Sequence, residues 1–194
     1  MRRRSLDALL TTGGLALAAL LLVSGGLLTW AHTFIGDQVS TQLSAQKIFF
    51  PPKGEATASP LIGPFINKYA GQQLTTGAQA GAFANHYIAV HLQESGGGLT
   101  YAELSAKSRA NPTDTKLAAS VDTAFKGETL RGLLLNAYAF GKMGQIAFIA
   151  AVVSFIGAGV MLLLSLLGFA HLRRVSPEEE VLAGHVRNSE VVSV

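Results

Sequence analysis

The sequence predicts an all-α membrane protein: two transmembrane helices with a small helical extracytoplasmic domain inserted between them. Three observations predict it. The run Ile146–Ala170 carries no charge and lies between Lys142 on one side and His171, Arg173 and Arg174 on the other. At ~1.5 Å per residue it reaches ~37 Å, enough to cross a ~30 Å hydrocarbon layer with some tilt. A second charge-free run, Ala8–Ala31, follows Arg2, Arg3 and Arg4 near the start. Between the two runs, Gly and Pro break the chain into helix-length pieces with no sustained strand-like alternation.

Composition narrows the class further. Hydrophobic residues make up 49% of the 194-residue chain and charged residues only 14%, against about 25% charged in ordinary soluble domains. The net charge of +3 is too small to point to nucleic acid, and no basic run beyond Arg2–Arg4 is present. With no cysteine, disulfides, thiolate zinc sites, iron–sulfur clusters and cysteine nucleophiles are excluded.

The organisation expected is a cytoplasmic N-terminus over residues 1–7, transmembrane helix 1 over 8–31, an extracytoplasmic helical domain over 32–143, transmembrane helix 2 over 144–170 and a cytoplasmic tail over 171–194. The first apolar run is too long for the ~7–15-residue core of a signal peptide, and Thr29-Trp30-Ala31 is a poor cleavage site, so an uncleaved anchor is expected. Trp30 suits a membrane interface. Arginines outside both runs place both termini in the cytoplasm under the positive-inside rule, in the plasma membrane of a bacterium. The segment between the spans holds nine basic against seven acidic residues, so it offers no strong field to a charged partner.

Within that segment Val39 and Leu43 continue the first helix outward until Phe49-Phe50-Pro51-Pro52 stops it. Phe49 and Phe50 are expected on the domain core or on the membrane surface. Lys53–Pro64 reads as a loop. Thr75 or Thr76 caps a helix that runs to about Ser95 with an apolar stripe of Phe83, Tyr87 and Val90 or His91. Gly77 and Gly81 form a G-x-x-x-G step, which outside an apolar membrane helix is weak evidence of close packing and is read as ordinary Gly/Ala richness. Gly96-Gly97-Gly98 breaks the chain. Thr100-Tyr-Ala-Glu103 is a capping box, and Asn111-Pro112 ends the helix it starts. Leu117, Val121 and Phe125 predict an amphipathic helix closed by Gly127. A further helix runs from Glu128 into the second span, with Gly141 and Gly144 as its weak points. Ser176–Glu180 can start a short helix in the tail.

Chemistry-bearing constellations are sparse, and no catalytic, cofactor-binding or metal residue is assigned. His86, His91 and Glu94 are the only grouping with metal-ligand residue types. On a regular α-helix His86 and His91 lie about 140° apart, which is poor convergence. His32 is expected at the membrane edge. No G-x-S-x-G elbow and no phosphate-binding glycine loop occurs. Neither apolar run contains Asp, Glu, Lys or Arg, which argues against an ion path through one chain. Small-residue ridges are read at Ala150, Ser154 and Ala158 and at Gly14, Ala18 and Gly26; they let the two spans pack on each other or on copies in a homo-oligomer.

Tyr69–Ala80, His86-Tyr-Ile with His91-Leu, Thr100–Glu103 and Phe125–Leu135 together resemble a group of uncharacterised two-span membrane proteins of actinobacteria. The resemblance covers roughly Val39 to the end of the second span and implies the same two-span plan. Some members carry the label aromatic ring-opening dioxygenase. That chemistry needs a convergent two-histidine, one-carboxylate face, so no functional residue is carried over.

The function expected is that of a non-enzymatic interaction or assembly module in the cell envelope, with no cofactor. Its partners would be the lipid bilayer, copies of itself or a larger membrane complex. The alternative is an extracytoplasmic sensor or small-ligand binder with a pocket lined by Phe83, Tyr87, Tyr101 and Tyr138, signalling through the second span.

Overall fold

A computed structural model of the chain describes residues 3–174. Its secondary structure is helical; the one strand-like feature among the described residues is an isolated antiparallel bridge between Phe49 and Gln73. The elements are α1 (Arg3–Ala45), α2 (Gly63–Ile66), α3 (Gly77–Ala82), a π-helical stretch (Phe83–Ile88), α4 (Ala89–Ser95), α5 (Tyr101–Ala110) and α6 (Thr115–Leu172), with single 3-10 turns at Glu55–Thr57, inside the segment expected to be a loop, and at Asn67–Tyr69. The expected tail helix at Ser176–Glu180 lies outside the described residues, as does Arg2.

Two of these helices are long and apolar enough to cross a membrane. Both exceed twice the ~20 residues that a hydrocarbon layer occupies. In each, only 17% of the most apolar window is buried inside the chain. A core helix of a soluble protein would hide that surface, so these helices have the exposure of membrane spans.

The described residues fall into two compact units, one within Met1–Thr29 and Ile149–Val194, the other Trp30–Phe148. In the first, the N-terminal part of α1 packs antiparallel to the C-terminal part of α6. A Cβ on Gly14 would stand 2.5 Å from Ser165 Oγ, one on Gly25 2.9 Å from the Phe155 ring, and one on Gly168 2.5 Å from Thr11 Oγ1. Thr11, Ala18, Ala151, Ala158 and Ser165 are buried in the same pair. Thr11, Ala18 and Gly25 are seven residues apart, and so are Ala151, Ala158 and Ser165. Seven residues are close to two helical turns, the repeat that keeps small residues on one seam of a helix pair. This corrects the four-residue ridges read from sequence. Gly14, Ala18 and Ala158 belong to the seam, but a Cβ on Gly26 would meet nothing within 4 Å and Ala150 is only half-buried.

The second unit has its own core of Leu43, Phe50, Ile62, Ile66, Leu74, Ala80, Phe83, Ala84, Ile88 and Leu134. α1 enters it and stops at Ala45, several residues before the Pro-Pro pair expected to stop it. The break comes at Lys47, whose φ of 53° leaves the helical region. Gln46 and Lys47 N–H close onto Leu43 and Ser44 carbonyls, and Gln73 Nε2 donates to Ser44 O at 2.7 Å. The chain then runs extended, held by Leu74 N–H to Ile48 O at 2.8 Å and Phe50 N–H to Gln72 O at 2.9 Å. Extended backbone points neighbouring side chains to opposite sides. Phe50 is therefore 2% exposed in the core while Phe49 is 56% exposed.

Thr76, not Thr75, is the N-cap of α3, accepting from Gln79 N–H. The buried Gln79 carboxamide returns the favour, its oxygen accepting from Thr75 N–H at 2.8 Å and Thr76 N–H at 3.0 Å. The helix continues to Ser95 but widens to π geometry at Phe83–Ile88, where Ala89 N–H bonds Ala84 O. The wider turn lets Phe83, Ala84 and Ile88 all sit in the core.

α5 starts on the expected box. Glu103 Oε2 accepts from Thr100 N–H and Thr100 Oγ1, both at 2.8 Å. These bonds, the backbone one first, hold the Glu103 carboxyl below the usual glutamate range although the side chain is open to solvent. The cap is thus complete above the ordinary glutamate value of 4.5. It is lost as pH falls through and below it. The hydrogen-exchange protection factors of the first turn of α5, taken relative to the intrinsic rate at each pH, are expected to fall under acid while those of α3, capped by the neutral Gln79, do not.

Gly127 does not close a helix. α6 runs unbroken from Thr115 to Leu172, and Gly127 instead leaves room for the Leu92 side chain. Gly141 and Gly144 are contact points rather than weak points. A Cβ on Gly141 would stand 3.0 Å from Gly77 Cα, and one on Gly144 3.3 Å from Ile35 Cγ2. The inward row passes through Ala124 and Leu134, which are buried, and leaves Phe125 55% exposed.

Candidate functional site

The G-x-x-x-G step, read in the sequence as ordinary Gly/Ala richness, is a close helix contact within the Trp30–Phe148 unit. A Cβ on Gly77 would stand 2.9 Å from both Ala137 O and Gly141 Cα, and one on Gly81 2.6 Å from the Tyr138 ring. Backbone thus meets backbone where α3 crosses α6. Tyr138 is taken up by that crossing, and Lys142 Nζ lies 5.6 Å from its ring centroid.

The four aromatics expected around a ligand pocket do not form one. Phe83 is buried with its ring 5.2 Å from Phe50 and 4.9 Å from Tyr87. Tyr101 instead faces Phe125 at 5.7 Å, and Tyr138 covers Gly81.

The histidines are also dispersed. His86 stacks flat on Phe65, with centroids 3.6 Å apart. His91 Nδ1 lies 2.8 Å from Tyr87 O, and its ring rests on Tyr87. The π-helical stretch removes the regular 100° step on which the 140° separation of His86 and His91 was reckoned. Even so, no group of three His, Asp or Glu side chains among the described residues is placed to hold a metal ion. His32 Nδ1 lies 2.9 Å from Gly144 O, and its ring is 5.1 Å from Phe148. A carbonyl only accepts, so Nδ1 carries the proton in this bond.

A groove of about 450 Å³ lies between α1 and α6 within this unit. Phe34, Ile35, Val39 and Leu43 line it from α1, Leu133, Leu134, Ala137 and Phe140 from α6. Its polar lining is entirely amide: Gln38, Gln42, Gln46 and Asn136. Gln38 and Gln42 are one helical step apart on α1, and Gln46 follows in the turn that closes it, so the three form one edge of the groove. Phe34, Leu133 and Phe140 are 50%, 58% and 53% exposed. Sequence reading passed over this groove because its two walls are about 95 residues apart in the chain, and neither wall alone departs from an ordinary amphipathic pattern.

A smaller cavity of about 300 Å³ lies in the other unit, lined among others by Asp7, Thr11, Ser165 and His171. Thr11 Oγ1 there donates to Asp7 O at 2.7 Å.

No protein-family model, no curated protein and no solved structure matches this chain.

Proposed function

We propose that this chain is a non-enzymatic integral membrane protein of the bacterial plasma membrane, akin to the two-span actinobacterial proteins it resembles. In this reading the Trp30–Phe148 unit stands outside the cytoplasm, both termini lie inside, and the unit acts as an interaction or assembly module in the cell envelope. One observation carries the reading: an uncharged groove whose apolar walls are left half-exposed. Covering a large apolar side chain is worth roughly 1.5–3 kcal/mol when complete, so three such side chains in one groove favour a partner. Large exposed apolar patches on a folded unit mark interaction sites. The dispersal of the histidines into ring stacks and backbone contacts supports the non-enzymatic part.

The groove's volume also suits a small apolar ligand, which keeps the sensor reading as the second choice. α6, continuous from Thr115 to Leu172, would then carry the response. The test is purification of tagged protein from native membranes in mild detergent. The expected result is an assembly well above the 20.3 kDa of one chain. A monomer that brings nothing with it would contradict the module reading.

A further inference from the structure

We propose that the α1–α6 groove is covered by the same groove of a second copy of this chain, in a two-fold symmetric pair. The proposal rests on the interaction-module reading and names the partner.

The composition of the groove carries it. Its lining holds no charged residue. Across a two-fold axis each group meets its own kind or a neighbour of its kind, and a carboxylate or an ammonium there would face its own charge. An amide both donates and accepts, so an edge of Gln38, Gln42 and Gln46 is complementary to itself, and Asn136 on the opposite wall adds the same capacity. Leu133 and Phe140, both more than half exposed, supply the apolar contact. A hydrocarbon chain lying in the groove would cover these two side chains as well. It would also displace water from the amides beside them and return no hydrogen bond. The amides of a second copy can donate and accept there, beside the Gln42 Nε2 to Gln38 Oε1 bond of 3.4 Å that the chain makes itself.

The chain has no cysteine, so each of Gln38→Cys, Gln42→Cys and Gln46→Cys carries a single thiol. The experiment is mild oxidation of each variant in native membranes, with Ala106→Cys on the exposed face of α5 as the control. The expected result is a disulfide-linked species of twice the 20.3 kDa chain mass for at least one of the three glutamine positions, at least tenfold above the control. Adding Leu133→Glu, a change at an exposed position, should reduce it about tenfold. Cross-linking no greater than the control at all three positions overturns the proposal. A photo-cross-linker at Gln42 separates the two failures. An adduct with a different protein removes the second copy and leaves the module reading standing. An adduct with lipid alone, or none at all, removes both.

Discussion

Phe50→Ala is expected to destabilise the Trp30–Phe148 unit by about 3–5 kcal/mol, the range for removing a large aromatic from a packed core. The ring is 2% exposed and lies 5.0 Å from Tyr69 and 5.2 Å from Phe83. It therefore joins the extended segment after α1 to the π-helical stretch. Domain stabilities are commonly 5–15 kcal/mol in total, so the loss is a large share. Phe49→Ala is expected to change stability by less than about 1 kcal/mol, because Phe49 points outward. Thermal unfolding of both variants in detergent, followed by limited proteolysis within residues 53–64, checks the pair. Equal effects would mean that the bridge between Phe49 and Gln73 is not in the register described here.

The second large effect belongs to Gly77. Gly77→Leu is expected to cost about 3 kcal/mol or more, the upper part of the range for overpacking. The nearest atoms, Ala137 O and Gly141 Cα at 2.9 Å, are backbone and cannot rotate away. Gly132 provides the contrast. It lies inside α6 with nothing within 4 Å of a built Cβ, so Gly132→Ala should stabilise by up to about 1 kcal/mol through helix propensity alone. The same thermal measurement reads both signs. A neutral Gly77→Leu would show that α3 and α6 do not meet backbone to backbone.

Local chemistry made much of the architecture readable in advance. The two apolar runs, the Thr100–Glu103 box and the glycine break at 96–98 each act within a few residues, and the structure keeps all of them. Gly97 and Gly98 take φ values of 62° and 79°, which glycine adopts without strain. The misreadings share one cause. A glycine in a helical pattern can either stop the helix or admit a neighbour, and the chain alone does not say which. Gly127 and Gly141 admit Leu92 and Gly77 respectively, contacts made by residues tens of positions away. The small-residue seam was misplaced by about a residue for a related reason. Four-residue steps describe one helix in isolation, whereas a helix packed along its length on another follows a seven-residue repeat. The groove was hidden because Gln38, Gln42 and Gln46 look like an ordinary solvated face until α6 is laid beside them.

The central proposal is that two lipid-crossing helices hold the Trp30–Phe148 unit outside the cytoplasm. It is tested most directly by thiol labelling in intact bacterial cells, again using the absence of native cysteine. Ser59→Cys lies in an exposed loop of that unit, and Ser5→Cys lies at the start of α1. An impermeant maleimide should label Ser59→Cys in intact cells and Ser5→Cys only after permeabilisation, with both proteins in the membrane fraction. Labelling of both positions together only after permeabilisation, or recovery of the protein in solution without detergent, would contradict the account.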